Sequence, residues 1–217
     1  MLALGRTPVR CEKDLISVLG QPLLAARPLR AETQNAQAQQ LLAHWFSRRR
    51  LLPVVSAARG EGRSQLALDL ARRVAALGVP TLLVDGDLRS PRLHQAFGLP
   101  NRHGLADFLA GHEVRLTQCG ENLAILVAGR PPAEPLELLA SPRLPPLLKA
   151  AAARFGAIVI DTPAADRGPD LQIFAALAGG ALIVARPGGT GARALEGLRG
   201  RLRECSAQVV GILLRHG

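Results

Sequence analysis

From residue 51 onward the sequence predicts an α/β fold: a doubly wound, mostly parallel sheet with helices on both faces, three layers in all. Short runs rich in Val, Ile and Leu alternate there with longer segments of helical pattern. The runs are continuously apolar rather than alternating, as expected of strands buried on both faces. The first of them passes through a glycine-containing turn directly into a helical pattern.

The elements follow in order. A strand over Leu51–Ala57 precedes a helix over Ser64–Leu77, where Leu66, Leu70, Val74 and Leu77 recur on one face. Strands at Thr81–Asp87 and Leu123–Ala128 come next. A helix over Pro142–Phe155 leads to a strand at Ala157–Thr162, a helix over Pro169–Ala178 to a strand at Ala181–Arg186, and a helix over Gly191–Cys205 to a last strand at Val209–Leu214. Ahead of this domain (51–217) stand a proline-punctuated arm (1–30) and a segment (31–50) with a Gln/Ala-rich helix, Ala31–Phe46. Its Leu41, Leu42, Trp45 and Phe46 are expected to dock on the main domain of the same chain. The Arg48-Arg49-Arg50 run reads as a solvated helix end.

A chain of 217 residues suits one full domain with a sizeable core. No apolar run approaches the roughly 18 to 20 residues that cross a bilayer, and the first residues lack a continuous apolar signal core, so a soluble cytoplasmic protein is expected. The formal charge is +10, almost all of it arginine, since Lys13 and Lys149 are the only lysines. That charge is spread along the chain and aromatics make up 3% of it, so nucleic acid is not an expected partner. Cys11, Cys119 and Cys205 lie far apart and read as reduced, mostly buried thiols. His94, His103 and His112 are nine apart, a spacing that puts no two on one helical face for a metal.

The chemistry concentrates at strand ends. Ser56-Ala57-Ala58-Arg59-Gly60-Glu61-Gly62-Arg63-Ser64 joins the first strand to the first helix, the setting in which backbone N–H groups wrap polyphosphate. Arg59, Gly60, Glu61, Gly62, Arg63, Ser64 and Gln65 are the candidate nucleotide-binding residues. Ser64 stands where its hydroxyl can ligate Mg²⁺, whereas Ala57 and Arg63 replace the first glycine and the lysine of the strict pattern. The second strand ends in Asp85-Gly86-Asp87 and the fourth in Asp161, and carboxyl ends of strands border the ligand crevice of a doubly wound sheet. Acids there can hold Mg²⁺ beside phosphates. Together these features predict a P-loop NTPase-like sandwich that binds a Mg-nucleotide. Gln65, standing where a third glycine belongs, argues against a dinucleotide fingerprint.

On these residues the chain resembles the bacterial tyrosine kinases, or BY-kinases, and within them the EpsG-type proteins of exopolysaccharide clusters. The likeness runs from about residue 30 to 215. It is carried by Ser56–Ser64, TLLVDGDLRSPRLHQAFGL (81–99), Gly129-Arg130-Pro131-Pro132 with Glu137-Leu138-Leu139, and IVIDTPA (158–164). The resemblance implies ATP and Mg²⁺ as cofactors and tyrosine kinase or ATPase activity. It assigns Arg63 to phosphate contact, Ser64, Asp85 and Asp161 to the metal, and Asp87 to orienting or deprotonating an acceptor hydroxyl, so that Arg63, Asp87 and Asp161 are the catalytic candidates. Arg89 and Arg92 would be structural or phosphate-facing. It further implies a membrane chain-length determinant (polysaccharide co-polymerase) as partner, recruitment to the inner membrane by that partner, and a homo-oligomer.

Departures qualify these expectations. The sequence holds no tyrosine, so it offers no tyrosine phosphoacceptor and any kinase activity is expected to be weak or directed in trans. The family's oligomerising Glu-x-x-Arg-x-x-Arg stands here as Glu32-x-x-Asn35-x-x-Ala38, and Arg215 stands where relatives often place an asparagine near the nucleobase. Two other functions compete: a catalytically degenerate scaffold of the same complex, and a partitioning ATPase of the ParA/MinD type, whose second lysine is Ala58 here.

Overall fold

The chain is described from a computed structural model over residues 31–215, and the predicted arm, with Cys11, lies outside those residues. The strands are β1 (Leu51–Ser56), β2 (Thr81–Asp85), β3 (Thr117–Gln118), β4 (Leu123–Leu126), β5 (Ala157–Asp161), β6 (Gly180–Ala185) and β7 (Gln208–Leu214). They form one sheet in the order β3-β4-β2-β5-β1-β6-β7, in which only the β3–β4 pair is antiparallel. β1 lies between β5 and β6, so the chain leaves the first strand at the middle of the sheet. The doubly wound, mostly parallel expectation holds.

Side chains alternate between the two faces, and each face has its own helical cover. The helices are α1 (Ala31–Leu41, continued by a π-helical turn Leu42–Phe46), α2 (Arg63–Ala76), α3 (Leu93–Ala96), α4 (Leu105–Leu109), α5 (Pro135–Leu139), α6 (Leu144–Arg154), α7 (Asp170–Ala178) and α8 (Ala192–Glu204). Leu52, Val54, Leu83, Val159 and Leu182 pack with Leu66, Leu70 and Val74 of α2 and with Trp45 and Phe46. Val55 and Ile183 face the other way, onto Leu171 of α7 and Leu195 of α8. Leu82, Val84, Ile158 and Ile160 continue that second face under Leu105, Leu139 and Leu148.

The sequence missed the shortest pieces. β3 has two exposed residues and no apolar periodicity to reveal it. α3, α4 and α5 are four or five residues long, too short for a 3.6-residue pattern to repeat. The predicted helix at Pro142–Phe155 shortens to Leu144–Arg154. Cys119 and Cys205 are partly rather than fully buried.

The N-terminal helix docks on its own chain, as expected. Leu41, Trp45 and Phe46 are buried, Leu42 packs beside them, and Trp45 Nε1 donates to the Leu51 carbonyl at 2.9 Å. Gly180 makes room for the indole, since a Cβ there would lie 2.7 Å from Trp45. The arginine run is exposed but two of its members are anchored, which corrects the solvated reading. Arg49 reaches the Ala178 carbonyl at 3.0 Å with its guanidinium 5.5 Å from the Trp45 ring centroid, and Arg50 reaches the carbonyls of Phe46 and Gly156. Trp45→Ala is therefore expected to lower stability by about 3 kcal/mol in urea denaturation; a loss below about 1 kcal/mol would mean that the helix contributes little to the domain.

Candidate nucleotide site

The turn after β1 is built on two left-handed glycines, Gly60 (φ 78°) and Gly62 (φ 83°), a conformation costly for any residue with a Cβ. Gly62 caps α2 and accepts the Leu66 N–H at 2.9 Å, which starts the helix at Arg63 and aims its first N–H groups toward the turn. A Cβ on Gly60 would meet nothing within 4 Å, so that side of the turn is open. A Cβ on Gly62 would lie 2.6 Å from Cδ of Arg215, which crosses behind the turn to reach Asp69 at 3.1 Å.

Glu61 turns inward. Its Oε2 accepts the Ala58 N–H at 3.1 Å and its Oε1 accepts the Thr190 hydroxyl, while Thr190 Oγ1 accepts the Arg186 N–H at 2.8 Å. Burial pushes the Glu61 carboxyl above its ordinary range, opposed by the Thr190 hydroxyl. The Glu61 side chain thus braces the turn against the β6–α8 loop, leaving only its backbone to face a ligand. Thr190 was not singled out from sequence. Its one signal is a glycine-rich turn, Gly188-Gly189-Thr190-Gly191, after a buried strand.

The acids occupy neighbouring strand ends. Asp85 and Asp161 are paired in register on β2 and β5. Asp85 is fully buried, and its two oxygens accept the N–H groups of Asp87 (3.3 Å) and Leu93 (3.1 Å). Desolvation, reinforced by the Asp161 charge, pushes its carboxyl well above the usual range. Asp87 accepts the N–H groups of Arg89 and Ser90 on Oδ1. Between the two acids, Gly86 comes so close to the Asp161 carbonyl that a Cβ would lie 2.7 Å from it.

Arg63 ties these ends together. Nε donates to Asp161 Oδ1 at 3.1 Å, Nη1 to Ser56 Oγ at 2.9 Å and Nη2 to Asp87 Oδ2 at 3.0 Å, so one guanidinium bridges the ends of β1, β5 and β2. Asp161 Oδ2 remains buried and without a hydrogen-bond partner. Desolvation raises the Asp161 carboxyl to about 6, against the opposing pull of Arg63 and the Ser64 hydroxyl.

An orphaned buried carboxylate oxygen beside a helix-start hydroxyl fits a hard divalent cation such as Mg²⁺. No cluster of three or more His, Cys, Asp or Glu stands ready for a metal among the described residues. A Mg²⁺ completed by substrate phosphates and water does not require one.

A cleft of about 610 Å³ opens over this assembly and is lined by Arg59, Gly60, Gly62, Arg63, Ser64, Gln65 and Asp87. Glu61, Asp85 and Asp161 lie beneath its surface, at 5%, 0% and 1% exposure. Arg89 is structural: its Nε contacts both oxygens of the buried Asp170, at 3.0 and 3.1 Å, pinning the loop after β2 to the start of α7. Asp170 was likewise not singled out from the sequence, where it reads as an ordinary first-turn acid.

A central β1, a left-handed glycine turn at a helix start and acids on the adjoining strand ends define a P-loop NTPase-like protein. No family model matches the sequence. The tyrosine-protein kinase YwqD of Bacillus subtilis (strain 168) is 33% identical over 165 residues, 74% of this chain and 70% of that protein. The succinoglycan biosynthesis transport protein ExoP of Rhizobium meliloti (strain 1021) is 35% identical over 201 residues, 88% of this chain but 25% of the longer protein.

Among solved structures, the chimerical protein CapA2B2 superposes with a TM-score of 0.87 at 26% identity, covering 94% of this chain and 98% of that one. The septum site-determining protein MinD of Pyrococcus horikoshii OT3, solved with Mg-ADP, gives 0.62 at 26% identity over 76% of this chain and 71% of its own. The chain belongs to the bacterial tyrosine-protein kinase family.

Because burial favours the neutral Asp161 carboxyl, the folded ligand-free chain binds more protons than the unfolded one between about pH 4 and pH 6. This group's contribution to stability is present below that window and is lost as pH rises through it. Denaturation midpoints at pH 4.5 and 6.5, an interval of roughly that window, are expected to differ less in Asp161→Asn than in the unmodified protein. An identical pH dependence in the two would exclude the assignment.

Proposed function

We propose that the chain binds Mg-ATP on the Gly60–Ser64 turn and acts as a kinase toward tyrosine on another protein, in the control of exopolysaccharide polymerisation and export. The observation that carries this reading is the convergence of Arg63, Asp87 and the half-satisfied Asp161 at the floor of one cleft. Family membership and the likeness to the succinoglycan biosynthesis transport protein ExoP support the setting.

In this reading the backbone of Gly60–Gln65 and the Arg63 guanidinium hold the phosphates. Ser64 and Asp161 hold Mg²⁺, which when bound offsets charge on the β- and γ-phosphates. Asp85 organises the site from beneath, fixing the loop that carries Asp87 and the start of α3. Asp87 orients the acceptor hydroxyl and takes its proton. The tyrosine oxygen bonds to the γ-phosphorus as the bond from that phosphorus to the bridging oxygen breaks, which leaves phosphotyrosine and ADP.

The partner in this reading is a membrane chain-length determinant, which recruits the chain to the cytoplasmic face of the inner membrane. No described helix is long and apolar enough to cross a membrane, in keeping with recruitment by a partner. The ParA/MinD alternative lacks the second lysine, since Ala58 occupies its place.

Titration with ATP is expected to show Mg-dependent binding that Arg63→Ala and Asp161→Ala each abolish. Asp87→Asn is expected to keep ATP affinity within about threefold while cutting radiolabelled phosphate transfer to a tyrosine-bearing partner by about a hundredfold or more. Nucleotide-independent behaviour in all four proteins would sink the reading.

A further inference from the structure

The arginines around the cleft fall into two groups. Arg63, Arg89 and Arg215 each pair with a carboxylate, at 3.0 to 3.1 Å. Arg59, Arg92 and Arg167 line the same cleft, are exposed, and carry guanidinium groups with no hydrogen-bond or ionic partner among the described residues. They come from different loops. Arg92 starts α3, after β2. Arg167 ends the 3₁₀ turn after β5, and the neighbouring Asp166 accepts the Arg59 N–H, which ties the Arg59 loop to that turn.

The cleft also extends past the glycine turn. Ser90, Leu68, Leu93 and Ala96 also line it, with Leu68 and Leu93 at 3% and 2% exposure, so part of its lining is an apolar strip. Phosphates need the turn and its N–H groups; they have no use for that strip. A planar ring whose hydroxyl points at Asp87 would use it.

We propose that this part of the cleft is a subsite for a tyrosine flanked by acidic residues, with Arg92 and Arg167 contacting the flanking carboxylates. The inference rests on the kinase reading of the inner site and adds to it the chemical class of the acceptor. None of these 217 residues is a tyrosine that could serve as that acceptor. Uncompensated arginines on two loops of the cleft draw an acidic segment in, while disfavouring a basic one. Two exposed carboxylate–arginine contacts account for a preference of about tenfold.

The test separates this subsite from the nucleotide site. A fluorescent peptide with one tyrosine between two pairs of glutamates, and its glutamine counterpart, are titrated with the protein by anisotropy, in the presence of Mg²⁺ and a non-hydrolysable ATP analogue. The acidic peptide is expected to bind about tenfold more tightly, a difference that weakens with added salt. Arg92→Gln/Arg167→Gln is expected to bring the two peptides to equal affinity while leaving the affinity for fluorescent ATP unchanged. Equal binding of both peptides, or no binding of either, overturns the subsite. A double variant that loses ATP affinity as well assigns these arginines to the nucleotide and also overturns it. Loss of ATP binding in Asp161→Ala with no effect on the nucleotide in the double variant keeps the two sites distinct.

Discussion

The guanidinium of Arg63 is the interaction on which the site depends. Two carboxylates in register on adjacent buried strands, with a third two residues on, would repel one another strongly in so dry a place. Arg63 meets Asp161 and Asp87 with separate nitrogens and still donates to Ser56. A planar fork suits that task better than a compact ammonium, which carries its donors on one nitrogen. The usual lysine is replaced here by a residue that can bridge three strand ends at once.

The same bridge sets the condition for ligand binding. In the proposed reading phosphate and carboxylate compete for one guanidinium, and Asp161 Oδ2 is buried without a hydrogen bond in the ligand-free arrangement. In that reading a Mg-nucleotide would resolve both tensions together: Arg63 would hold phosphate, and Asp161 would hold the cation. Binding would accordingly be an exchange of partners that favours the ionised form of Asp161.

Much of this was legible in the sequence because it depends on local rules. Continuous apolar runs marked the central strands, glycines marked the turn, and acids at strand ends marked the crevice. What stayed hidden depends on tertiary neighbours. Glu61 lies in the turn like its neighbours, yet it faces inward because Thr190, 129 positions later, offers its hydroxyl. Asp170 looks like a helix-start acid and becomes a buried anchor only because Arg89 reaches it from another loop. The N-terminal helix follows the same logic: Asn35, which stands at a position of the family's oligomerising motif, accepts a hydrogen bond from Arg73 of α2, and Ala38 is fully buried against the domain.

The direct measurement of the exchange is the carboxyl carbon titration of Asp161 by NMR, followed in the ligand-free protein and again with Mg-ATP. The account predicts a midpoint near 6 without ligand and below about 4 with Mg-ATP, with ATP alone failing to produce the full drop. An ordinary carboxylate midpoint in the ligand-free protein, or one that Mg-ATP leaves in place, would contradict it.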